Sequence, residues 1–369
     1  MNAFCILFTD TYDSESKLNA LSGTRTLASI PFAGRYRLID FMLSSLVRAQ
    51  VADVGVITKS KYASLVEHIG SGKDWDLNRK NGGLKVLTPF ATGITSHFDN
   101  QFDILQSVLG YIDNRLEDYC ILADANLVVS LDFKDMLAFH KEKGADITVL
   151  CQLAKEQDGA IELYTDENNK VTDVLIHTGD TDKKKNLARN VFLLKKTLLR
   201  ELIDAGATYG WKHFGKDILP KMLSELNIHA YKHNGYCELI DNVESYLRAN
   251  QDMLDKEKRN EIFDPNHPIL TRVKDSVPTK YGENANVKNS MIADGCVING
   301  TVENSIIFRN AKVEKGACIK NSIVMQNTIV EENASLSFVI ADKNTRITER
   351  KSLSGCDTLP FVIEKGKIV

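Results

Sequence analysis

From about Ala285 a small residue returns every five or six positions, followed two places later by an aliphatic one. The pairs are Ala285/Val287, Ser290/Ile292, Gly295/Val297, Gly300/Val302, Ser305/Ile307, Ala311/Val313, Ala317/Ile319, Ser322/Val324, Thr328/Val330 and Ala334/Leu336. So short a period leaves room for one strand and one tight corner per step. The aliphatic points inward and the small residue fits the corner, which predicts a left-handed parallel β-helix of hexapeptide repeats. An ordinary β-sandwich would not hold so many steps in register. Such a prism has flat sides and open edges, which makes it an assembly element.

The chain before the repeat has another texture. Residues 4–8, 54–58, 119–123 and 147–151 are short apolar runs of the kind that form buried parallel strands. Between them, helical spacing appears at Leu38, Phe41, Met42 and Leu46, at Leu65, Val66 and Ile69, and at Ile104, Leu105, Val108, Leu109 and Ile112. Asp132 is placed to cap a further helix carrying Met136, Leu137 and His140. This alternation predicts a Rossmann-like α/β domain with a mostly parallel sheet, and residues 162–176 and 191–194 form an appended mixed edge. Asp241-Asn242-Val243-Glu244 reads as a capping box, opening a helix with Val243, Tyr246, Leu247 and Leu254 on one face. Three of the seven prolines fall between Pro265 and Pro278, which marks a linker. The expected organisation is an α/β domain over 1–240, a helix and proline-rich linker over 241–282, and the β-helix over 283–369.

A net charge of −3 with 26% charged residues excludes the basic balance of a nucleic-acid binder. No apolar run has the length of a membrane span, and the first residues lead straight into a strand, so a cytoplasmic location without membrane attachment is expected. The seven cysteines are scattered without a C-x-x-C, which favours reduced thiols over disulfides or zinc. All eight histidines precede Pro268, so the repeat domain carries no histidine base for acyl transfer. Gly70-Ser71-Gly72-Lys73 is not a phosphate loop of the Walker type, because Glu67 and Asp74 stand where glycine and a hydroxyl residue are needed.

Residues 31–47 place a doubly basic, glycine-assisted turn ahead of the Leu38 helix, with Arg35 and Arg37 near a helix start that already favours anions. This stretch resembles the corresponding loop and helix of bacterial glucose-1-phosphate adenylyltransferases (ADP-glucose pyrophosphorylases). The resemblance continues through Trp75-Asp76-Leu77-Asn78-Arg79-Lys80-Asn81-Gly82-Gly83, Phe214-Gly215-Lys216-Asp217-Ile218-Leu219-Pro220 and Gly235-Tyr236. It covers nearly the whole chain in order and implies a nucleotidyltransferase domain ahead of the β-helix.

Nucleotidyl transfer needs a glycine-rich loop that lets phosphates approach backbone N–H groups, carboxylates for magnesium, and a cation against the developing charge. The family's Gly-Gly-x-Gly-[Thr/Ser]-Arg loop is replaced by Thr9-Asp10-Thr11-Tyr12-Asp13-Ser14-Glu15, which has no glycine and three carboxylates. Arg25 matches the arginine of the family's Arg-Ala-Lys-Pro segment, whose lysine becomes Leu27 and whose proline becomes Ala28. The two metal-binding aspartates align with Asn126 and Leu239; Asp124 lies two positions before Asn126 on the same strand face, and Glu238 and Asp241 lie near Leu239, with Glu238 on the other face. Gly-Thr-Ala-Asp becomes Asn100-Gln101-Phe102-Asp103, the adenine-associated glutamine becomes Lys59, and Met-Gly becomes Arg189-Asn190. The sugar-phosphate segment Glu-Lys-Pro has no counterpart around Ile176-His177-Thr178.

These departures resemble the GlgD-type, regulatory subunit of that enzyme. The resemblance implies a chain without catalytic residues or a cofactor of its own. It would act in glycogen synthesis by pairing, in a heterotetramer, with a catalytic subunit that uses Mg2+ to make ADP-glucose and pyrophosphate from ATP and glucose 1-phosphate. Arg35 and Arg37 match the family's Gly-Gly-Lys-[Tyr/Phe]-Arg, whose lysine is associated with phosphate-bearing effectors. With Arg309 and Lys312 they form the candidate anion pocket for a phosphorylated sugar effector. Two alternatives stand beside this reading: a self-sufficient nucleotidyltransferase with relocated metal ligands, and a homo-oligomeric sugar-phosphate sensor.

Overall fold

The computed structural model of the chain describes residues 1–10, 17–89, 100–155, 159–179 and 183–369. Strands Gly83–Leu87, Asp53–Ile57, Ala3–Phe8 and Tyr119–Asp124 lie side by side and parallel. Lys184–Lys195 joins antiparallel to Tyr119–Asp124 and links it to Ile147–Lys155 and Ile161–Thr165. Val171–Ile176 and Ile228–Lys232 complete the nine-stranded mixed sheet. Ala3–Phe8 is buried at every position, as an unbroken apolar run in a sheet covered on both faces must be. Its side chains alternate between two cores. Phe4, Ile6 and Phe8 meet Phe102, Ile203 and Phe214, whereas Cys5 and Leu7 meet Ile39, Met42 and Met136.

Helix Leu38–Arg48 is buried more widely than a single apolar stripe predicts. Met42 and Leu46 pack on the sheet, while Leu38 and Phe41 turn to a third core. The 104–112 spacing resolves into two helices, Gln101–Ser107 and Leu109–Asp113, separated at Val108. Asn242 caps helix Val243–Asp252, but Ser245 rather than Glu244 closes the box, and Leu254 lies beyond the helix end. Glu244 instead pairs with Arg248 one turn on. Asp132 caps helix Phe133–Glu142, accepting from the Lys134 N–H at 2.8 Å. Asp132→Ala is therefore expected to cost about 1 kcal/mol, measured by urea denaturation.

The repeat forms a prism of three five-stranded parallel sheets, running from Lys280–Tyr281, Asn286–Lys288 and Met291–Ile292 to Arg346–Ile347, Ser352–Ser354 and Phe361–Ile363. Val302, Ile307, Val313, Ile319, Val324, Val330 and Leu336 fill its interior. One step differs from the sequence pattern. Val297 is registered with Lys312 and points outward, and Ile298, registered with Val313, is the buried residue. Two of the prism's corners run through asparagines at positive φ, Asn289, Asn304 and Asn321 on one and Asn310, Asn327 and Asn344 on the other, a backbone region asparagine tolerates better than most residues.

One prism sheet is apolar on both faces. Ile307, Val324, Ala341 and Ile363 point in, while Ile306, Ile323 and Ile340 point out into a core shared with Leu18, Phe32, Phe41, Tyr246 and Leu247. The α/β domain and the prism are thus joined by a common core. The turn between Pro31–Phe32 and Tyr36–Arg37 lies on the prism, where a Cβ on Gly34 would stand 3.9 Å from that of Ala293. The proline-rich segment is strapped down as well. Ile269 and Thr271 are buried, and the Leu270 N–H donates to Ser44 Oγ at 2.9 Å. Among the described residues no helix is long and apolar enough to cross a membrane.

Candidate functional site

In open α/β sheets ligands bind at the carboxyl ends of the parallel strands. Here Ala3–Phe8 and Tyr119–Asp124 end side by side, and the Ala125 N–H donates to the Phe8 carbonyl at 2.9 Å. Asn126 is buried, and its side-chain amide donates to the Ile240 carbonyl at 2.8 Å. Leu239 lies opposite Leu127 in the short antiparallel pair and leans on the same core. Asp124 accepts from the Asn190 side chain at 2.9 Å. Asn190 holds a positive φ of 46°, in a backbone conformation that suits glycine, and its side chain reaches across to the strand end. One amide spent on the backbone and one alkyl group do not fit a magnesium ion, which takes hard oxygen ligands. No group of three histidine, cysteine, aspartate or glutamate residues stands at metal-binding spacing among the described residues.

The surroundings are filled in the same way. Phe102 stacks against Phe214 and presses so closely on Gly206 that a Cβ there would come within 2.3 Å of its ring. His177 is bonded to Glu162 at 2.8 Å, and Lys185 to the other oxygen of Glu162 at 3.0 Å. Asp10 accepts from the Leu27 N–H at 3.0 Å, and burial pushes its carboxyl up to about 6. Lys59 is half-buried near this end of the sheet. Residues 11–15 of the acidic loop lie outside the described residues.

The basic turn divides its two arginines. Arg35 is exposed, with its guanidinium 5.7 Å from the centre of the Tyr36 ring. Arg37 is buried at the start of helix Leu38–Arg48, where its Nη1 donates to the Ser64 carbonyl at 2.6 Å and to the Ser64 hydroxyl at 2.9 Å. Burial holds the Arg37 guanidinium down at about 10, against the pull of Asp40 and Glu67. Across the seam stand two residues that the sequence did not single out. Asp342 binds Arg25 through both carboxylate oxygens, at 2.8 and 2.6 Å, with both partners buried. Lys343, next in the chain, makes no ion pair among the described residues. Burial, and then the positive charges of Arg37 and Arg25, push its ammonium down to about 7, with Lys274 adding to the effect.

Asp294, Arg309, Gln326 and Lys343 occupy equivalent places on successive coils, each carbonyl accepting from the N–H at the next corner. Neighbouring strands lie roughly 4.8 Å apart, so Arg309 is about 10 Å along this edge from Lys343. Arg309 donates to Asp294 at 2.9 Å. Gln326, between the two cations, has a buried side-chain oxygen with no hydrogen-bond partner among the described residues. Lys312 is exposed on a different sheet of the prism. The structure therefore gathers Arg25, Arg37 and Lys343 at one seam, with Asp342 on Arg25 and Asp40 beside Arg37, sets Arg309 further along it, and leaves Arg35 and Lys312 on the outer surface.

The fold is an α/β domain on a mixed nine-stranded sheet, carrying a hexapeptide prism. The family described as Nucleotidyl transferase matches residues 14–256, and that described as GlmU-like, C-terminal hexapeptide matches residues 275–358. The glycogen biosynthesis protein GlgD of Bacillus subtilis is 34% identical over 81% of this chain and 78% of its own length. That of Geobacillus stearothermophilus is 36% identical over 82% and 79%. The glucose-1-phosphate adenylyltransferase of Clostridium botulinum is 32% identical over 82% and 80%. The chain belongs to the nucleotidyl transferase family, in the branch shared by GlgD and glucose-1-phosphate adenylyltransferase.

Proposed function

We propose that this chain is a regulatory, catalytically silent subunit of glucose-1-phosphate adenylyltransferase in glycogen biosynthesis. It assembles with a catalytic subunit that makes ADP-glucose and pyrophosphate from ATP and glucose 1-phosphate. The observation that carries the reading is the pair Asn126 and Leu239. At the two places where the family's enzymes hold magnesium, the first side chain is committed to the Ile240 carbonyl and the second is apolar. The names of the GlgD and adenylyltransferase relatives support the pathway. Titration of the isolated chain with ATP tests the reading. No magnesium-dependent binding is expected, and such binding would favour the self-sufficient enzyme, with Asp124 as its ligand.

The effector site in this reading is the inter-domain seam: Arg37 and Lys343 at its centre, Arg35 and Arg309 beside it, and Lys312 on the adjoining face. An effector bridging both domains biases the partner only if it binds one arrangement of the seam better than another. Lys343 makes the site sensitive to pH. Its ammonium is charged below about 7 and neutral above, so an anion binds more tightly on the acid side. For sulfate, whose own charge is constant over this range, affinity is expected to fall about tenfold from pH 6 to pH 8. Lys343→Gln should flatten that profile, measured by calorimetric titration.

A further inference from the structure

We propose that a cavity between Arg189 and the 236–239 segment is a second, separate site, which takes a small metabolite bearing one phosphate or carboxylate group. The cavity measures about 280 Å³, and Gln152, Lys155, Arg189, Glu238 and Arg248 supply its polar lining. It opens where strand Lys184–Lys195 bulges away from Ile147–Lys155, between Ala188 and Phe192.

Arg189 is the reason to assign a ligand. It is only 4% exposed, yet among the described residues it makes no ion pair. Its one side-chain hydrogen bond among the described residues runs from Nε to Gln152 Oε1 at 3.0 Å, and neither terminal nitrogen meets an acceptor among them. A guanidinium does not shed its proton to escape burial, and an unpaired buried charge is costly. The neighbouring carboxylates are already engaged. Glu238 is bound by Arg248 Nη2, and Asp241 accepts from the Ser245 hydroxyl at 3.2 Å. Arg189 and Arg248 against Glu238 leave the lining positive. The free edge of the guanidinium is a two-pronged donor of the shape that grips phosphate and carboxylate.

Size narrows the class further. Pockets for drug-sized ligands begin near 300 Å³, so this one takes a compact anion rather than a nucleotide. Leu239 forms part of the wall, which sets the cavity beside the strand ends that house the family's chemistry.

Calorimetric titration of the full-length Lys343→Gln protein, in which the seam site is weakened, tests the assignment with inorganic phosphate, glucose 6-phosphate and acetate as probes. Saturable binding of at least one probe at millimolar or lower concentration is expected. Arg189→Gln should weaken it at least about tenfold, and Arg189→Lys, which keeps the charge but loses the fork, should weaken it less. Binding by both phosphates but not acetate assigns the phosphoryl class, and the reverse assigns the carboxylate class. No saturable binding by any probe, or an unchanged affinity in Arg189→Gln, overturns the proposal. Should Arg189→Gln fail to fold by circular dichroism, Arg189→Lys and Gln152→Leu decide, since both leave the charge in place, and two unchanged affinities overturn the proposal equally.

Discussion

Alanine at Arg25 is expected to lower the unfolding free energy by about 3–5 kcal/mol, the usual cost of stripping one partner from a buried ion pair. Among the described residues the carboxylate of Asp342 would then keep the Lys343 N–H, at 2.6 Å, as its one hydrogen-bond donor, in a buried position. The loss comes mainly from that stranded charge, so removing both charges should undo it. Arg25→Met combined with Asp342→Leu is expected to fall within about 1 kcal/mol of the parent protein, because an apolar pair has no solvation to lose. Urea denaturation of the parent, the alanine variant and the double variant measures both quantities. A cost below about 1 kcal/mol for Arg25→Ala would mean that water reaches the pair and that the two domains are less tightly joined than described.

The second large effect lies on the same seam. Ile323 points outward from the prism, a place where polar residues normally stand, yet it is buried against the core around Phe32, Phe41 and Tyr246. Ile323→Asn should cost about 3–5 kcal/mol, from lost apolar contact together with an amide left without partners. Ile329 is the control. It also points outward, but on another sheet, half-exposed and in register with Lys312 and Arg346. Ile329→Asn is expected to change stability by less than about 1 kcal/mol. Equal losses at the two positions would show that the face of the prism, rather than its docking on the α/β domain, sets the cost.

The prism was legible because every coil repeats the same demand, an aliphatic two places after a small residue. The pattern slipped only at Val297, where the next residue, Ile298, is also aliphatic and register alone decides which one turns inward. The docking face was less legible. Ile306-Ile307 and Ile323-Val324 double the aliphatic where the other sheets offer Lys312-Val313 or Ser335-Leu336, but Ile329-Val330 does so as well without a second core to meet, so only the folded chain tells the two apart. The Arg25–Asp342 pair had no local signature, since 317 residues separate its members. Lys343 was hidden for the same reason, because its significance comes from charges supplied by distant segments. Asn126 and Leu239 could be read against a family pattern, but what each does instead is visible only once Ile240 and Leu127 are placed beside them.

The central claim, that this chain modulates a catalytic partner without turning over substrate itself, is tested most directly by pyrophosphate release from ATP and glucose 1-phosphate with magnesium. Three samples are compared: this chain alone, the catalytic subunit alone, and the mixture. The account predicts no release from this chain alone and an altered rate or effector response in the mixture. Turnover by this chain alone would contradict it, because a carboxylate such as Asp124 would then be holding the metal that Asn126 and Leu239 do not.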